Sequence, residues 1–139
     1  MKKYILLILI SFFVGTTIQA QSFQLIVNNA NSASSISKSN ASAFFLKKKT
    51  KWADGTKVAA IDLSSKSSVR ANFSKAVHNK STSQIRAFWQ QSVFSGKATP
   101  LKELGSDAAV ITFVKGNRGA IGYISSSTNT NGVKVLNIK

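Results

Sequence analysis

The chain has 139 residues, no cysteine, one histidine, and 19 Lys and Arg residues against 4 Asp and Glu residues, for a formal net charge of +15. Without cysteine there is no disulfide, no thiolate metal ligand and no thiol chemistry. The single histidine and the few carboxylates do not provide a carboxylate pair, a histidine metal cluster or an activated nucleophile with its base and orienting group. The composition therefore predicts a protein that is not an enzyme and that needs no metal or cofactor.

The positive charge attracts anions without selecting among them. Acidic envelope polymers and small oxyanions remain open as ligands, and a lysine surface that only keeps the protein soluble is the alternative. Nucleic acid is not expected as a partner, because the aromatic residues fall at packing positions of helices and turns rather than between basic residues on a strand.

Residues 1–20 have the order of a secretory signal peptide. Two lysines precede an apolar run at residues 4–14, and Ala20 provides a small residue at the expected cleavage site. An uncleaved anchor is the alternative, but the run is shorter than the ~20 apolar residues that span a bilayer. Cleavage before Gln21, which is not the cysteine that lipid attachment needs, leaves residues 21–139 as one periplasmic or secreted domain without membrane insertion.

The first elements of that domain are a strand and a helix. Residues 24–27 are apolar and predict a buried strand, which a loop rich in Ser and Asn follows. The helix has its N-cap at Ser37 or Ser39 and runs through about Lys48, so that three lysines lie in its last turn, where positive charge suits the helix dipole. The apolar residues assigned to this helix are Ile36, Phe44 and Phe45.

The middle of the chain is predicted as a strand followed by two helices. The Asp-Gly turn at residues 54–55 precedes a strand at residues 58–63, and a run of small polar residues leads into a helix with apolar residues at helical spacing. Ser81 and Gln84 form a capping box for the next helix, which ends at Gly96. Its apolar face consists of Ile85, Phe88, Trp89 and Val93.

The last elements are a helix and two strands. Ser106 caps a helix that ends at Gly116, a strand follows at residues 120–124, and a polar loop separates it from a final strand at residues 133–138. Because strands and helices alternate, the sequence predicts an α/β fold with a small sheet covered by about four helices.

Several ordered stretches are similar to a known family. They are FLKKKTKW at residues 45–52 followed by DG, SSVRANF at residues 67–73, Trp89 with FSGK at residues 94–97, and GAIGYI at residues 119–124. In this order and spacing the chain resembles the phosphate-type substrate-binding proteins of ABC transporters, which have the type 2 periplasmic-binding-protein fold. The resemblance covers nearly all of residues 21–139.

The resemblance implies one lobe of a larger architecture. Full-length members clamp an anion between two lobes, and this chain corresponds to the second lobe with its connecting strands. The family has an Arg and an Asp before a Gly-Ser-Gly-Thr-like turn, whereas residues 62–68 read DLSSKSS, without the Arg and the glycines. Since one lobe encloses an anion poorly, we expect weak affinity, or a second wall from a partner or another copy.

The candidate site is the polar run that opens the second helix. Its residues are Ser64, Ser65, Lys66, Ser67, Ser68 and Arg70. A helix start presents unpaired N–H groups, the serines add hydroxyl donors, Lys66 adds a charge, and the fork of Arg70 can hold an oxyanion through two hydrogen bonds. The alternative is that Ser67 only caps the helix and that Arg70 pairs with Asp62 or Glu103.

Two functions of different classes follow from these observations. The first is non-covalent binding of phosphate or a similar oxyanion in connection with phosphate uptake, with a transporter or envelope protein as a possible partner. The second is an envelope interaction module of the same fold that binds no small ligand and uses its basic surface to hold acidic polymers or a partner protein.

Overall fold

The computed structural model describes residues 22–139, and the predicted signal peptide at residues 1–20 lies outside them. In this part of the chain, no helix is both long and apolar enough to cross a bilayer. Strands and helices alternate, and four α-helices accompany a small main sheet, so the predicted α/β class is confirmed.

Within residues 22–139, seven strands form two sheets. They are β1 (Phe23–Val27), β2 (Ser35–Ile36), β3 (Ala59–Ala60), β4 (Asp62–Leu63), β5 (Glu103–Leu104), β6 (Ala120–Ser125) and β7 (Lys134–Ile138). The main sheet has the order β2-β7-β1-β6-β3, with β1 antiparallel to both neighbours and the short edge strands parallel to theirs. Because β1 and β6 are buried along nearly their whole length, both read as apolar runs.

The strand predicted at residues 58–63 is wrong as a single element. The chain changes partners at Ile61: the N–H of Ala59 bonds within the main sheet at 3.0 Å, whereas the N–H of Asp62 bonds to the oxygen of Lys102 at 3.0 Å. Consequently β4 pairs in parallel with β5 in a second, two-stranded sheet. Strand β5 was not predicted, because two residues are too few to carry a periodic pattern.

Helix α1 (Lys38–Phe45) begins as predicted and ends early. The side chain of Ser37 accepts a backbone N–H at 3.2 Å, which decides between the two predicted caps, and Ile36 belongs to β2 instead of the helix. The predicted extension to Lys48 is wrong: Lys47 has a φ of 56°, and the next two N–H groups bond back into the last turn. Three lysines therefore lie beyond the helix rather than within it.

The second helical segment begins directly after the polar run. Helix α2 (Ser68–Phe73) continues without a break into a π-helical turn (Ser74–His78), and Asn79, with a φ of 53°, ends the segment. Phe73 and Val77 are buried, as their spacing predicts. Because α2 has only 6 residues before its hydrogen bonding changes, any attraction of anions to its start depends mainly on local donors.

Helix α3 (Thr82–Phe94) opens with the predicted capping box. The predicted apolar face is confirmed for Ile85 and Trp89, which are buried. The prediction is wrong for Val93, which is 52% exposed, because in residues 22–139 no element packs over this side chain near the end of the helix.

Helix α4 (Asp107–Gly116) packs closely on β6. A Cβ atom added at Gly122 would lie 2.6 Å from Val110 Cγ1 and 3.0 Å from Ile61 Cγ2. The second glycine of the GAIGY stretch is thus required by the close approach of a helix to the sheet.

An aromatic cluster fixes α2 against the sheet. The rings of Phe73 and Tyr123 stack with centroids 3.8 Å apart, and Phe45 meets Phe73 edge-on at 4.7 Å. Each of these rings is at most 2% exposed. This cluster holds the end of α2, and with it the polar run at its start, in a defined position relative to β6.

Candidate functional site

The predicted polar run, residues 64–68, forms the turn that leaves β4 and the first residue of α2. Ser65, Lys66 and Ser68 are exposed, whereas Ser64 and Ser67 are half-buried. The turn begins at a fixed point, because the N–H of Ser64 bonds to the main-chain oxygen of Leu104 at 2.9 Å. The start of α2 is therefore open to solvent and has room for an anion.

Hydrogen bonding within the turn leaves several donors available. The side-chain oxygens of Ser64 and Ser67 each accept a backbone N–H of the same turn at 3.4 Å, so both hydroxyl groups keep their own protons for another acceptor. In the described chain, the N–H groups of Ser65, Ser68 and Val69 have no hydrogen-bond partner. Such a set of N–H and O–H donors suits an oxyanion.

Arg70 is engaged by the protein itself. The residue is 7% exposed; its Nη1 donates to the oxygen of Leu63 at 2.9 Å and to Glu103 Oε1, and its Nη2 lies 3.5 Å from Asp62 Oδ2. Arg70 therefore pairs as the alternative interpretation of the sequence predicted, with Asp62 and Glu103 both as partners. The guanidinium connects β4, β5 and α2 through these contacts. Arg70 also contributes to the wall of the pocket beside the turn.

Asp62 also accepts a hydrogen bond from the hydroxyl of Tyr123, whose oxygen in turn accepts the N–H of Leu63 at 3.2 Å. Burial raises the pKa of Asp62, while Arg70 and Tyr123 act in the opposite direction. Burial and then the Asp62 carboxylate raise the pKa of Tyr123 far above its ordinary value, so the phenol remains a donor. In the described chain every buried side-chain N or O atom has a partner, which makes this network a structural support for the turn.

A pocket of about 520 Å³ adjoins the turn and extends along α3. Its lining includes Ser65 and Arg70 from the predicted site. The remaining residues were not predicted as a site: Thr82, Arg86, Trp89, Gln90, Val93, Phe94, Pro100 and Glu103. The available signal was the helical spacing of Arg86, Trp89 and Val93, which places a charged, an aromatic and an apolar residue on one face.

His78, the only histidine, contacts Ser42, with 2.7 Å between its Nδ1 and the serine Oγ. Burial, followed by the charges of Lys48 and Lys80, lowers the pKa of His78 to about 4. Within residues 22–139 no carboxylate hydrogen-bonds to the imidazole, so the pair lacks the third group that orients the base of a serine nucleophile.

No family model matches the sequence, and no curated protein matches it. Solved structures, in contrast, do match this chain. An ABC-type phosphate transport receptor from Vibrio cholerae matches 84% of this chain and 46% of its own, with 18% identity and a TM-score of 0.67. A putative phosphate ABC transporter substrate-binding protein with bound phosphate from Clostridium perfringens matches 84% and 44%, with 19% identity and a TM-score of 0.66. PstS from Borrelia burgdorferi matches 85% and 47%, with 16% identity and a TM-score of 0.65.

These similarities define the class of the molecule at the level of its fold. The chain has the fold of part of a phosphate-type substrate-binding protein, and the resemblance drawn from the sequence is confirmed to that extent. The chain spans about half the length of the structures it matches. The matched structures are of receptors and substrate-binding proteins rather than enzymes.

Proposed function

We propose that this protein is exported and binds a small oxyanion non-covalently, phosphate first, at the turn formed by residues 64–68 and the start of α2. The observation that carries the proposal is the shared fold with proteins whose names specify phosphate, one of them solved with phosphate bound. The exposed turn supports it, because it offers backbone N–H and hydroxyl donors and the charge of Lys66.

Arg70 has a supporting role in this proposal. Its fork is used by Asp62, Glu103 and Leu63, so it holds the turn in place, while the two carboxylates compensate its charge. The anion would be held mainly by main-chain and serine donors, which are neutral and reorganise little on binding. No catalytic step is part of the proposed function.

The part of the chain that the structure describes leaves one side of such a site open to water. Hydrogen bonds to an anion that stays partly hydrated contribute little net free energy, because each replaces a bond to water. We therefore expect weak affinity for the isolated chain, or a second wall supplied by a transporter or envelope partner or by another copy. Tight binding by the monomer would contradict this part of the proposal.

A second candidate function is attachment to acidic envelope polymers or to a partner protein without a small ligand. The lysine surface favours it: in residues 22–139 every lysine except Lys134 is exposed, and none lies within ion-pair distance of a carboxylate. Lys49, Lys51 and Lys139 border a second pocket of about 500 Å³. Attachment through many lysines weakens steeply as salt rises, whereas an oxyanion held by short hydrogen bonds is much less sensitive.

The test is titration calorimetry of the protein with phosphate, sulfate and nitrate at low and high salt. The protein is expressed from residue 1 and recovered outside the cytoplasm, and its mass checks cleavage before Gln21. We expect heat from phosphate that persists in high salt. The double variant Lys66→Ala, Ser68→Ala removes the charge and one hydroxyl group of the site and should weaken phosphate binding, although the main-chain donors and the hydroxyls of Ser64 and Ser67 remain.

The matched control is Lys57→Ala, Ser126→Ala, which removes the same two side-chain types from exposed positions outside the turn. It should bind phosphate like the original protein. If both double variants lose binding equally, or if only polymers bind and salt removes them, the oxyanion site does not exist and the second candidate function takes its place.

A further inference from the structure

The pocket beside the turn is much larger than a tetrahedral oxyanion requires. Its volume of about 520 Å³ lies within the range of roughly 300–1,000 Å³ that is usual for sites of small organic ligands. Ser65 belongs both to the turn and to the pocket wall, so a ligand in the pocket can reach the donors of the turn.

The pocket changes in character along α3. Thr82 and Arg86 lie near the start of the helix, Trp89 lies in the middle, and Val93 and Phe94 lie at its end. At a rise of about 1.5 Å per residue, these positions follow one another over roughly 18 Å. The start of α3 therefore contributes a cation and a hydroxyl group, and its end contributes apolar side chains; Glu103, which is paired with Arg70, also lines the pocket.

The cationic end has an uncompensated charge. All four Asp and Glu residues of the chain lie within residues 22–139, and the ion pairs in that range involve only Arg70. Arg86 is exposed and has no carboxylate within ion-pair distance there. A guanidinium without an ion-pair partner, in a pocket that Ser65 and Thr82 also line, is suited to an oxyanion, which it can hold through two hydrogen bonds.

The apolar end is uncovered. Phe94 is 90% exposed and Val93 52%, although both are large apolar side chains on the last turns of a helix. Pro100 completes this wall of the pocket. Covering these surfaces with an apolar group is favourable in proportion to the area removed from water.

We propose that this pocket binds a small organic oxyanion, with its anionic head at Arg86, Ser65 and Thr82 and its aromatic or aliphatic body against Trp89, Val93 and Phe94. The inference rests on the proposed function, because it places the anionic head beside the same turn. It specifies the ligand class further: the preferred ligand carries an apolar substituent that inorganic phosphate lacks.

The test is an NMR titration of the protein, prepared as for the calorimetry, with phenylphosphonate, methylphosphonate and inorganic phosphate. The two phosphonates share a headgroup and differ in apolar area, so we expect phenylphosphonate to bind at least about tenfold more tightly. The chain has two tryptophans, hence two indole N–H signals; that of Trp89 should shift on binding while that of Trp52, which lines another pocket, stays in place.

Two matched pairs of variants locate the ligand. Arg86→Gln should weaken phenylphosphonate about tenfold, whereas Arg118→Gln, at another exposed arginine, should not. Val93→Ser should reduce the preference for the phenyl group, whereas Val135→Ser, at a valine 39% exposed on β7, should leave it unchanged.

The outcomes separate this inference from the proposed function. Equal affinities for the two phosphonates, or unchanged binding in Arg86→Gln, overturn the organic-ligand inference, and phosphate binding weakened in Lys66→Ala, Ser68→Ala would still uphold the proposed function. If phenylphosphonate binds as described and phosphate does not, the inference holds and phosphate is not the ligand. If neither binds, both proposals are wrong.

Discussion

Because His78 is the chain's only histidine and is held neutral by its surroundings, folding stability should fall in mildly acidic solution. Burial, together with the nearby Lys48, Lys80 and Arg70, lowers its pKa from an ordinary 6.5 to about 4. Between these two values the unfolded chain binds a proton that the folded chain does not, so protonation favours unfolding. The stability that the folded state gains by keeping His78 neutral is fully present above pH 6.5 and is lost as the pH falls towards about 4.

The size of the effect follows from the two pKa values. Linkage gives a loss of about 2 kcal/mol on going from a pH of about 7.5 to a pH of about 5. The measurement is urea unfolding at both pH values for the original protein and for His78→Asn, which cannot gain the proton. Carboxylate titration affects both proteins alike and cancels in the difference between them.

The imidazole signal in the NMR spectrum gives the pKa directly, since no other histidine contributes. We expect a folded-state value below about 5. Two results would contradict this reasoning: a pKa of His78 near 6.5 in the folded protein, or the same pH dependence of the free energy of unfolding in the original protein and in His78→Asn. Either would show that the ring is hydrated rather than buried.

Three further substitutions test other parts of the structure by urea unfolding. Gly122→Ala should destabilise the fold by about 1–3 kcal/mol, because the new methyl group meets Val110 at 2.6 Å, and an unchanged stability would mean that α4 can move away from β6. Ser81→Ala should cost about 1 kcal/mol through loss of the cap of α3, while Ser83→Ala on the same helix should cost less than half as much. Arg70→Met should cost about 3–5 kcal/mol because it leaves a buried carboxylate unpaired, and a loss below about 1 kcal/mol would contradict the structural role of the ion pairs.

The features that could be predicted from the sequence are those that depend on residues close together in the chain. The capping box at Ser81 and the cap at Ser106 define where two helices begin, and both appear as predicted. The apolar runs of β1 and β6 were recognisable because both strands are buried on two faces. The ordered motifs were sufficient to indicate the fold that the solved structures share.

Other features could not be predicted because they depend on partners distant in sequence. The break at Ile61 exists because Asp62 finds its partner 40 residues later, at Lys102. Likewise, the sequence indicated Asp62 or Glu103 as an alternative partner of Arg70, but only the packing of β4 against β5 brings both carboxylates to it.

The basic charge, the helix starts and the apolar strands could be recognised in the sequence, since they depend on composition and local hydrogen bonding. Three features appear only in the folded chain: the polar turn is open, Arg70 is engaged, and Arg86, Trp89 and Phe94 border one pocket. Exposure and charge pairing depend on which elements pack over a residue, and the periodicity of a single helix does not encode its neighbours.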